Sequence, residues 1–469
     1  MNSTVNLPVW LVIIGGFFAA WALLNRLLVP GIRWYLRRRA NLFIARINKK
    51  LDLKLPAFKT TRRKVLIDRL RYDTEVIEAI RQHSHDNNIP HEVVQKKVER
   101  YAREIVPAFS VFLYFRFGSW LSRSVARVLF RIRVGFSDAN EIQNIDPQSS
   151  VVFIMNHRSN VDYILLGYFA LQKVVMSFAV GEWARFWPVQ QLIRSMGAFF
   201  VRRGSKDTLY RKVLSRYVRM ATEAGVVQAI FPEGKLSMDG GLNPPKIGLL
   251  DYMLRDFNPQ KERDIVFIPV GVNYDRVLED RSQLLRADPK CSRKSGLTVF
   301  KTTTSFLFRN FWLMLRGRWH RFGYAVVNFG PPLSMKKYFV EHQMDFKGLD
   351  RETRIEEVLK LGKEMMEKVS RVIPVVPVSL LSTVFMRDPD RALSDLEIKA
   401  AVQVLIKELE DRDAHIYIPR KDRDYAIEVG LRMLKLRHLI REEDDLFRAV
   451  PEEMGLLSYY ANSISHFWE

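Results

Sequence analysis

A strand-to-helix transition is indicated by the stretch Val151-Val-Phe-Ile-Met-Asn-His157-Arg158-Ser-Asn-Val-Asp162-Tyr-Ile-Leu-Leu166. A run of β-branched and apolar residues ends in a polar turn, and an apolar period typical of a helix begins directly after it. We therefore predict a strand, a loop that carries His157, and a helix with Asp162 in its first turn. An imidazole with a carboxylate five residues later can remove a proton from a hydroxyl group, because the carboxylate fixes the tautomer. Taken alone, Asp162 fits a second explanation equally well: an aspartate in the first turn of a helix also interacts favourably with the helix dipole.

Strand-like and helix-like patterns alternate from residue 151 to residue 330. Apolar runs typical of strands occur at 151–155, 174–180, 226–231, 265–272 and 324–329. Helical periods lie between the first four runs, notably Asp207–Ala224 and Ile247–Asp256. The alternation predicts an α/β fold with a central mixed sheet flanked by helices. His157 and the later block at 231–237 both follow strands, where such sheets gather their sites.

Three further sequence blocks follow the first in a fixed order. They are Gly197-Ala-Phe-Phe-Val-Arg202-Arg203, Phe231-Pro-Glu233-Gly234-Lys235-Leu-Ser237 and Ile268-Pro269-Val-Gly-Val-Asn-Tyr-Asp275. The four blocks resemble the motifs of the glycerolipid acyltransferase superfamily, and most closely those of the membrane-bound glycerol-3-phosphate acyltransferases. Near the end of the chain, Leu457-Ser-Tyr459-Tyr460-Ala-Asn462-Ser-Ile464-Ser-His466-Phe467 resembles that family's carboxyl-terminal signature. The resemblance extends from about residue 65 to the end of the chain.

The resemblance implies roles for particular residues. His157 and Asp162 fall on the catalytic positions of the family, and the positions that hold the acceptor and the acyl donor correspond to Arg202, Arg203, Glu233, Gly234, Ser237 and Pro269. Arg158 and Lys235 are two further candidates for substrate binding, because each carries a cation. Guanidinium groups suit phosphate recognition, although ordinary surface arginines are the alternative for Arg202 and Arg203. Glu233 either shapes its loop or binds an acceptor hydroxyl, and Gly234 is expected to adopt a positive φ.

One position departs from the family pattern. Many relatives carry an arginine directly before the serine of the third block, where this chain has Leu236. Lys235 could supply the cation one position earlier, but an ammonium group does not reproduce a bidentate guanidinium fork. The exact acceptor is therefore predicted less firmly than the superfamily.

The expected activity is transfer of a fatty acyl group from acyl-CoA or acyl carrier protein to the sn-1 hydroxyl of glycerol 3-phosphate, the first step of phospholipid synthesis. Dihydroxyacetone phosphate and 1-acylglycerol 3-phosphate are the alternative acceptors. A non-catalytic protein that binds anionic membranes is the alternative of another class. The sequence has no P-loop, zinc-ligand spacing or dinucleotide fingerprint, so we expect no metal and no cofactor besides the acyl donor. Its single cysteine, Cys291, excludes an intrachain disulfide.

Positive charge is concentrated in the first third of the chain. The whole sequence of 469 residues carries a net charge of +22, and residues 31–135 contain 24 Lys or Arg against 9 Asp or Glu, a net of +15. Such a block binds a polyanion, either nucleic acid or an anionic membrane. The apolar run that precedes it favours the membrane, so we predict an anionic phospholipid partner and no nucleic-acid partner.

A membrane anchor is predicted at residues 7–29. Leu7–Leu24 contains 18 residues without a charge, Trp10 and Trp21 lie near its ends, and five arginines follow it between residues 26 and 39. The positive-inside rule then places the rest of the chain in the cytoplasm. We expect the membrane to be a bacterial inner membrane. A cleaved signal peptide is the alternative, with a small-residue site at 20–22 but no basic segment before the apolar run.

After the anchor we predict a basic, helical, membrane-associated region at 30–135, a catalytic domain at 136–345 and a helical C-terminal region at 346–469. Residues 62–104 indicate two helices split by the polar turn His83–Pro90. Two segments that mix arginines with aromatic residues, Val106–Arg133 and Phe306–Arg321, are candidate interfacial helices. Within the C-terminal region, helices are predicted at 352–372 and 392–411, joined by a proline-rich stretch.

Overall fold

The middle of the chain alternates between strands and helices, in agreement with the apolar pattern of the sequence. The computed structural model describes residues 8–9, 56–170, 174–181, 184, 185, 187, 189–202, 204–287, 321–346 and 348–468. The chain separates into two compact units, Met1–Lys54 and Leu55–Glu469. Only Pro8 and Val9 of the first unit are described, so the predicted anchor lies outside the described residues. Among the helices that are described, none is long and apolar enough to cross a bilayer.

One large sheet forms the centre of the second unit. Within the described residues its strands are β1 (Arg131–Ser137), β2 (Ser150–Met155), β3 (Met176–Val180), β4 (Phe199–Phe200), β5 (Val227–Ile230), β6 (Ile265–Tyr274), β7 (Tyr324–Phe329) and β8 (Leu333–Ser334). Their order is β1-β7-β6-β2-β5-β3-β4, and β8 pairs with β6. The run from β6 to β4 is parallel, whereas β7 and β8 are antiparallel to β6. The predicted central mixed sheet is confirmed.

Helices flank this sheet and form most of the C-terminal region. They are α1 (Ala57–Thr60), α2 (Arg63–Arg71), α3 (Thr74–Asn87), α4 (His91–Ile105), α5 (Ser119–Leu129), α6 (Ala139–Gln143), α7 (Asp162–Ala170), α8 (Val189–Ser195), α9 (Thr208–Glu223), α10 (Gly248–Leu254), α11 (Asp280–Ala287), α12 (Met335–Glu341), α13 (Arg351–Arg371), α14 (Pro377–Arg387), α15 (Asp395–Glu410), α16 (Arg423–Leu436) and α17 (Met454–Ala461). A short 3₁₀-helix, Asn462–Phe467, follows α17. A small antiparallel sheet contains β9 (Leu393–Ser394), β10 (Ile440–Glu443) and β11 (Leu446–Ala449).

Several helices begin at capping residues that the sequence displays. The side chain of Asp207 accepts a hydrogen bond from the backbone N–H of Tyr210 at the start of α9. At α15, Ser394 and Glu397 form a reciprocal capping box. Both helices lie within the segments predicted from the apolar period. The structure therefore confirms these two helices and the five predicted strands.

The segment Val106–Arg133 is not one continuous helix as predicted. A π-helical turn, Leu113–Gly118, leads into α5, which ends at Leu129. Arg131, expected on the helix face, instead belongs to β1, where it pairs with Tyr324 of β7. The arginine spacing fits a helix locally, but pairing with a strand nearly two hundred residues away determines the conformation of Arg131.

The helices before and after the segment predicted as the catalytic domain also differ from the prediction. Residues 62–104 form α2, α3 and α4 instead of two helices, because Asp73 caps the start of α3. The polar turn is shorter than expected, since α3 continues to Asn87 and ends at Asn88 with a φ of 52°. Inside the proline-rich stretch, Pro377 begins α14 at a position that requires no N–H donor.

A single apolar core joins the N-terminal helices to the sheet. Leu66, Val76 and Val98 of α2, α3 and α4 belong to the same buried cluster as Val213 of α9 and Val152 of β2. Every residue of β2 is buried. Sheet and helices therefore hold the polypeptide that follows β2 in a fixed position.

Substitution of Gly271 in β6 by alanine should destabilise the fold. A Cβ atom at this position would overlap the backbone of Val372 and Ile373 where the chain leaves α13. Overpacking of this kind costs about 1–3 kcal/mol. Gly248→Ala in α10 is the matched control, because nothing lies within 4 Å of its added Cβ. Urea unfolding should show a loss for Gly271→Ala alone, and equal stabilities would contradict this account.

Candidate active site

A histidine and an aspartate form a buried pair at the carboxyl end of β2. The strand ends at Met155, His157 lies on the following loop, and Asp162 is the first residue of α7, as predicted. The Nδ1 atom of His157 lies 2.9 Å from Oδ2 of Asp162. Both side chains are 1% exposed or less. The loop therefore holds imidazole and carboxylate in contact, out of bulk water.

The Asp162 carboxylate accepts hydrogen bonds from several directions. Its Oδ2 atom also accepts from the backbone N–H groups of Arg158, at 2.9 Å, and Ser159, at 3.0 Å. Its Oδ1 atom accepts from the hydroxyl of Tyr274, at the end of β6. Four donors therefore surround the two oxygens of this carboxylate. Because a carboxylate only accepts, Nδ1 of His157 must carry the ring proton.

The other ring nitrogen of His157 is available for chemistry. Its Nε2 atom is buried and has no hydrogen-bond partner among the described residues. The ring stacks on Phe231, with centroids 4.1 Å apart, and meets Tyr163 edge to face at 5.7 Å. These contacts fix the plane of the imidazole. A hydroxyl group placed at Nε2 could therefore give up its proton to it.

Glu233 holds the histidine loop in place. Its Oε1 atom accepts the backbone N–H of His157 at 2.7 Å, and its Oε2 atom accepts the backbone and side-chain N–H groups of Asn243 at 2.9 and 2.8 Å. Burial raises the pKa of Glu233, an effect opposed by these hydrogen bonds and by the charge of Arg158. Since β2 and β5 are neighbours, Glu233 joins the loops that follow them. Of the two roles predicted for Glu233, these contacts match shaping of the loop.

The turn after Glu233 has the predicted backbone conformation. Gly234 has a φ of 68°, which confirms the expected positive value. The backbone N–H of Ser237 donates to the carbonyl of His157 at 3.0 Å, and the Ser237 hydroxyl donates to the carbonyl of Gly241 at 2.7 Å. Lys235 is exposed on the same turn. This block therefore combines backbone support for His157 with a cation at the surface.

The arginine beside the histidine points into the protein. Arg158 is 1% exposed, and its terminal nitrogens donate to the carbonyls of Gly240 and Ser463, the second at 2.9 Å. Burial lowers the pKa of the guanidinium. In this structure both terminal nitrogens of Arg158 thus bind the protein itself. They connect the loop that carries His157 to the 3₁₀-helix Asn462–Phe467.

The remaining predicted site residues lie on other elements. Nε and Nη2 of Arg202 donate to Glu104 of α4 at 2.8 and 2.6 Å, and this contact raises the pKa of Arg202. Arg203 lies outside the described residues. Pro269 is buried in β6 beside Ile154 of β2, where its carbonyl accepts the N–H of Gly330.

Two family models match the chain in consecutive segments. The model of the acyltransferase family covers residues 137–273, and that of the glycerol-3-phosphate acyltransferase C-terminal region covers residues 310–468. The first contains the pair of His157 and Asp162, and the second contains Ser463, which Arg158 contacts.

The chain is thus similar in these two segments to the acyltransferase family and to the C-terminal region of the glycerol-3-phosphate acyltransferases. Curated glycerol-3-phosphate acyltransferases resemble it over most of its length. That of Haemophilus influenzae (strain PittEE) is 26% identical over 424 residues, which are 87% of this chain and 50% of that protein. That of Alteromonas mediterranea is 27% identical over 416 residues, 84% of this chain and 48% of that protein. The chain thus spans about half the length of these curated relatives.

A solved structure of an acyltransferase also matches part of the chain. The 1-acyl-sn-glycerophosphate acyltransferase of Thermotoga maritima is 16% identical, and the match has a TM-score of 0.29. It covers 54% of this chain and 77% of that protein.

Two residues that contact this site were not among those predicted from the sequence. Tyr274 donates to Asp162, and Asn156 pairs with the backbone of Val272 through hydrogen bonds of 2.8 and 2.9 Å. Asn156 directly precedes His157, and Tyr274 lies within the fourth motif. Both are polar residues at or next to the end of a strand that leads to the site, and this position could have identified them from the sequence.

Tyr274→Phe should lower the free energy of unfolding of the protein by about 1–3 kcal/mol, because one oxygen of the buried Asp162 carboxylate loses its donor. Tyr217→Phe is the control, since it removes the same hydroxyl from a buried tyrosine whose ring packs on Phe58 and Phe199. Guanidinium unfolding measures both variants. Equal losses would mean that the Tyr274 hydroxyl contributes nothing specific to Asp162.

Proposed function

We propose that the chain transfers a fatty acyl group from a thioester, acyl-CoA or acyl carrier protein, to the sn-1 hydroxyl of glycerol 3-phosphate. One observation carries this proposal: Nε2 of His157 is buried and unpaired among the described residues, while Nδ1 is bound to Asp162. This is the arrangement of a general base for a hydroxyl group. Similarity to the C-terminal region of the glycerol-3-phosphate acyltransferases and to curated proteins of that name supports the choice of acceptor.

The reaction needs one proton to move twice. Nε2 of His157 takes the proton of the acceptor hydroxyl as its oxygen attacks the thioester carbonyl, and the Asp162 carboxylate stabilises the imidazolium that forms. The tetrahedral intermediate then collapses, the carbon–sulfur bond breaks, and the thiolate takes the proton from Nε2. An ester and a free thiol are produced, and the imidazole returns to its starting state.

The phosphate of the acceptor needs a cation near this pair. We propose that Lys235, exposed on the turn that follows Glu233, and Arg203, which lies outside the described residues, supply it. Arg202 is less suited, because Glu104 already holds its guanidinium at two nitrogens. Leu236 keeps dihydroxyacetone phosphate and 1-acylglycerol 3-phosphate as alternative acceptors, since the chain lacks an arginine at that position.

His157→Ala should lower the kcat of acyl transfer by about 10²–10⁴-fold, because the general base is lost, and leave expression unchanged. Thiol release should be measured on purified protein with each acyl donor and with glycerol 3-phosphate, dihydroxyacetone phosphate, 1-acylglycerol 3-phosphate and glycerol as acceptors. His342→Ala, at an exposed histidine, is the control.

Three results would contradict the proposal. A variant without His157 that retains wild-type turnover would remove this residue from the mechanism. Faster release with either alternative acceptor than with glycerol 3-phosphate would reassign the substrate. A wild-type protein that releases no thiol with any acceptor would favour a non-catalytic membrane-binding protein.

We further propose that the protein works at the cytoplasmic face of a bacterial inner membrane. Besides the predicted anchor, an apolar patch supports this location. Phe112, Leu113, Phe117 and Trp120 are 39–60% exposed around the start of α5, and Arg116 is exposed among them. Aromatic side chains with interspersed arginines suit the boundary between lipid head groups and acyl chains. The second candidate interfacial segment lies outside the described residues from 306 to 320.

Deletion of residues 1–30 should weaken attachment to anionic vesicles without abolishing it, since each well-placed Lys or Arg contributes about 1 kcal/mol. In that background, replacing both Phe117 and Trp120 by serine should release most of the remaining bound protein. The control replaces Leu396 and Val404 of α15, also exposed, by serine. Vesicle flotation at low salt measures binding, and equal loss in both double variants would contradict a role for the patch.

A further inference from the structure

A second carboxylate, that of Glu279, binds the loop between His157 and Asp162, which we call the catalytic loop. Glu279 lies between the end of β6 and the start of α11. Its Oε2 atom accepts the hydroxyl of Ser159 at 2.6 Å, and its Oε1 atom accepts the side-chain and backbone N–H groups of Asn160 at 3.1 and 3.3 Å. Ser159 and Asn160 are two of the four residues between His157 and Asp162. Glu279 therefore fixes the middle of the loop whose ends carry the catalytic pair.

The two carboxylates divide the donors of this loop between them. Asp162 accepts the backbone N–H of Ser159, whereas Glu279 accepts its hydroxyl, and that hydroxyl oxygen in turn accepts the N–H of Val161 at 3.2 Å. Without Glu279, the side chains of Ser159 and Asn160 would lose their acceptor. The backbone between His157 and Asp162 would then have fewer hydrogen bonds to the rest of the protein.

The segment that carries Glu279 is anchored to the C-terminal region. The neighbouring Asp280 accepts hydrogen bonds from Arg437 and from the hydroxyl of Tyr460. That hydroxyl also accepts the backbone N–H of Val277 at 3.1 Å. Tyr460 of α17 therefore binds the chain on both sides of Glu279, at Val277 and at Asp280. Arg437, which follows α16, binds Asp280 as well. A carboxylate on a fixed segment can restrain the middle of a neighbouring loop.

We propose that Glu279 is a positioning residue for acyl transfer, which holds Ser159 and Asn160 so that Nε2 of His157 points at the acceptor hydroxyl. This inference rests on the proposed function for its kinetic consequences. It assigns no proton transfer to Glu279. A displacement of about 1 Å in a catalytic group lowers turnover by about 10²-fold even when substrates still bind.

The test uses the full-length protein and the variants Glu279→Gln, Ser159→Ala and their combination. Glu279→Gln should lower kcat by about 10- to 100-fold, with little change in KM for glycerol 3-phosphate or acyl-CoA. If both side chains act through one hydrogen bond, the double variant should lose less than the product of the two single losses. Glu262→Gln is the matched control, because Glu262 holds Arg219 in an ion pair away from the catalytic loop.

Hydrogen–deuterium exchange supplies a readout that does not depend on activity. Amides of residues 156–162 should exchange faster in Glu279→Gln than in wild type, and not in Glu262→Gln. Wild-type kcat in Glu279→Gln, or unchanged exchange of this loop, would overturn the inference. Wild-type protein that is inactive on glycerol 3-phosphate, together with faster loop exchange in Glu279→Gln, would refute the proposed acceptor and support the positioning role.

Discussion

Burial of the Asp162 carboxylate sets the geometry of this protein's site. A carboxylate removed from water is stable only when protein donors replace the lost solvent. Its donors come from the imidazole of His157, from the backbone of the loop between them, and from Tyr274 at the end of β6. The loop, α7 and β6 therefore have to stay in register with one another. The same hydrogen bonds fix the tautomer of His157 and leave its Nε2 atom without a partner among the described residues.

The C-terminal region is part of this arrangement, because a buried arginine spans the two matched family segments. Arg158 donates to Gly240 on one side and to Ser463 on the other. Its own carbonyl accepts the side chain of Gln283, which Tyr459 binds in turn. An unpaired buried guanidinium would cost much free energy, so the two segments depend on each other. Residues far beyond the catalytic motif thereby support its backbone.

Local sequence signals identified much of the site but not its partners. Asp162 at the start of α7 and the positive φ of Gly234 follow from rules that act over a few residues. The resemblance to the family motifs marked Arg202 as a candidate phosphate ligand. It could not indicate that Glu104, on an N-terminal helix, holds its guanidinium. That contact depends on how α4 packs beside β4, and nothing near Arg202 in the chain specifies it.

The sequence by itself determined the strand–loop–helix unit around His157, the alternation of the mixed sheet and the resemblance to the glycerol-3-phosphate acyltransferases. Periodicity and capping are properties of neighbouring residues, so they are visible without a structure. Only the tertiary structure decided that Arg131 belongs to a strand and that the Tyr274 hydroxyl donates a hydrogen bond to Asp162. These contacts join residues more than a hundred positions apart, and their formation depends on the order of strands in the sheet, which local patterns do not specify.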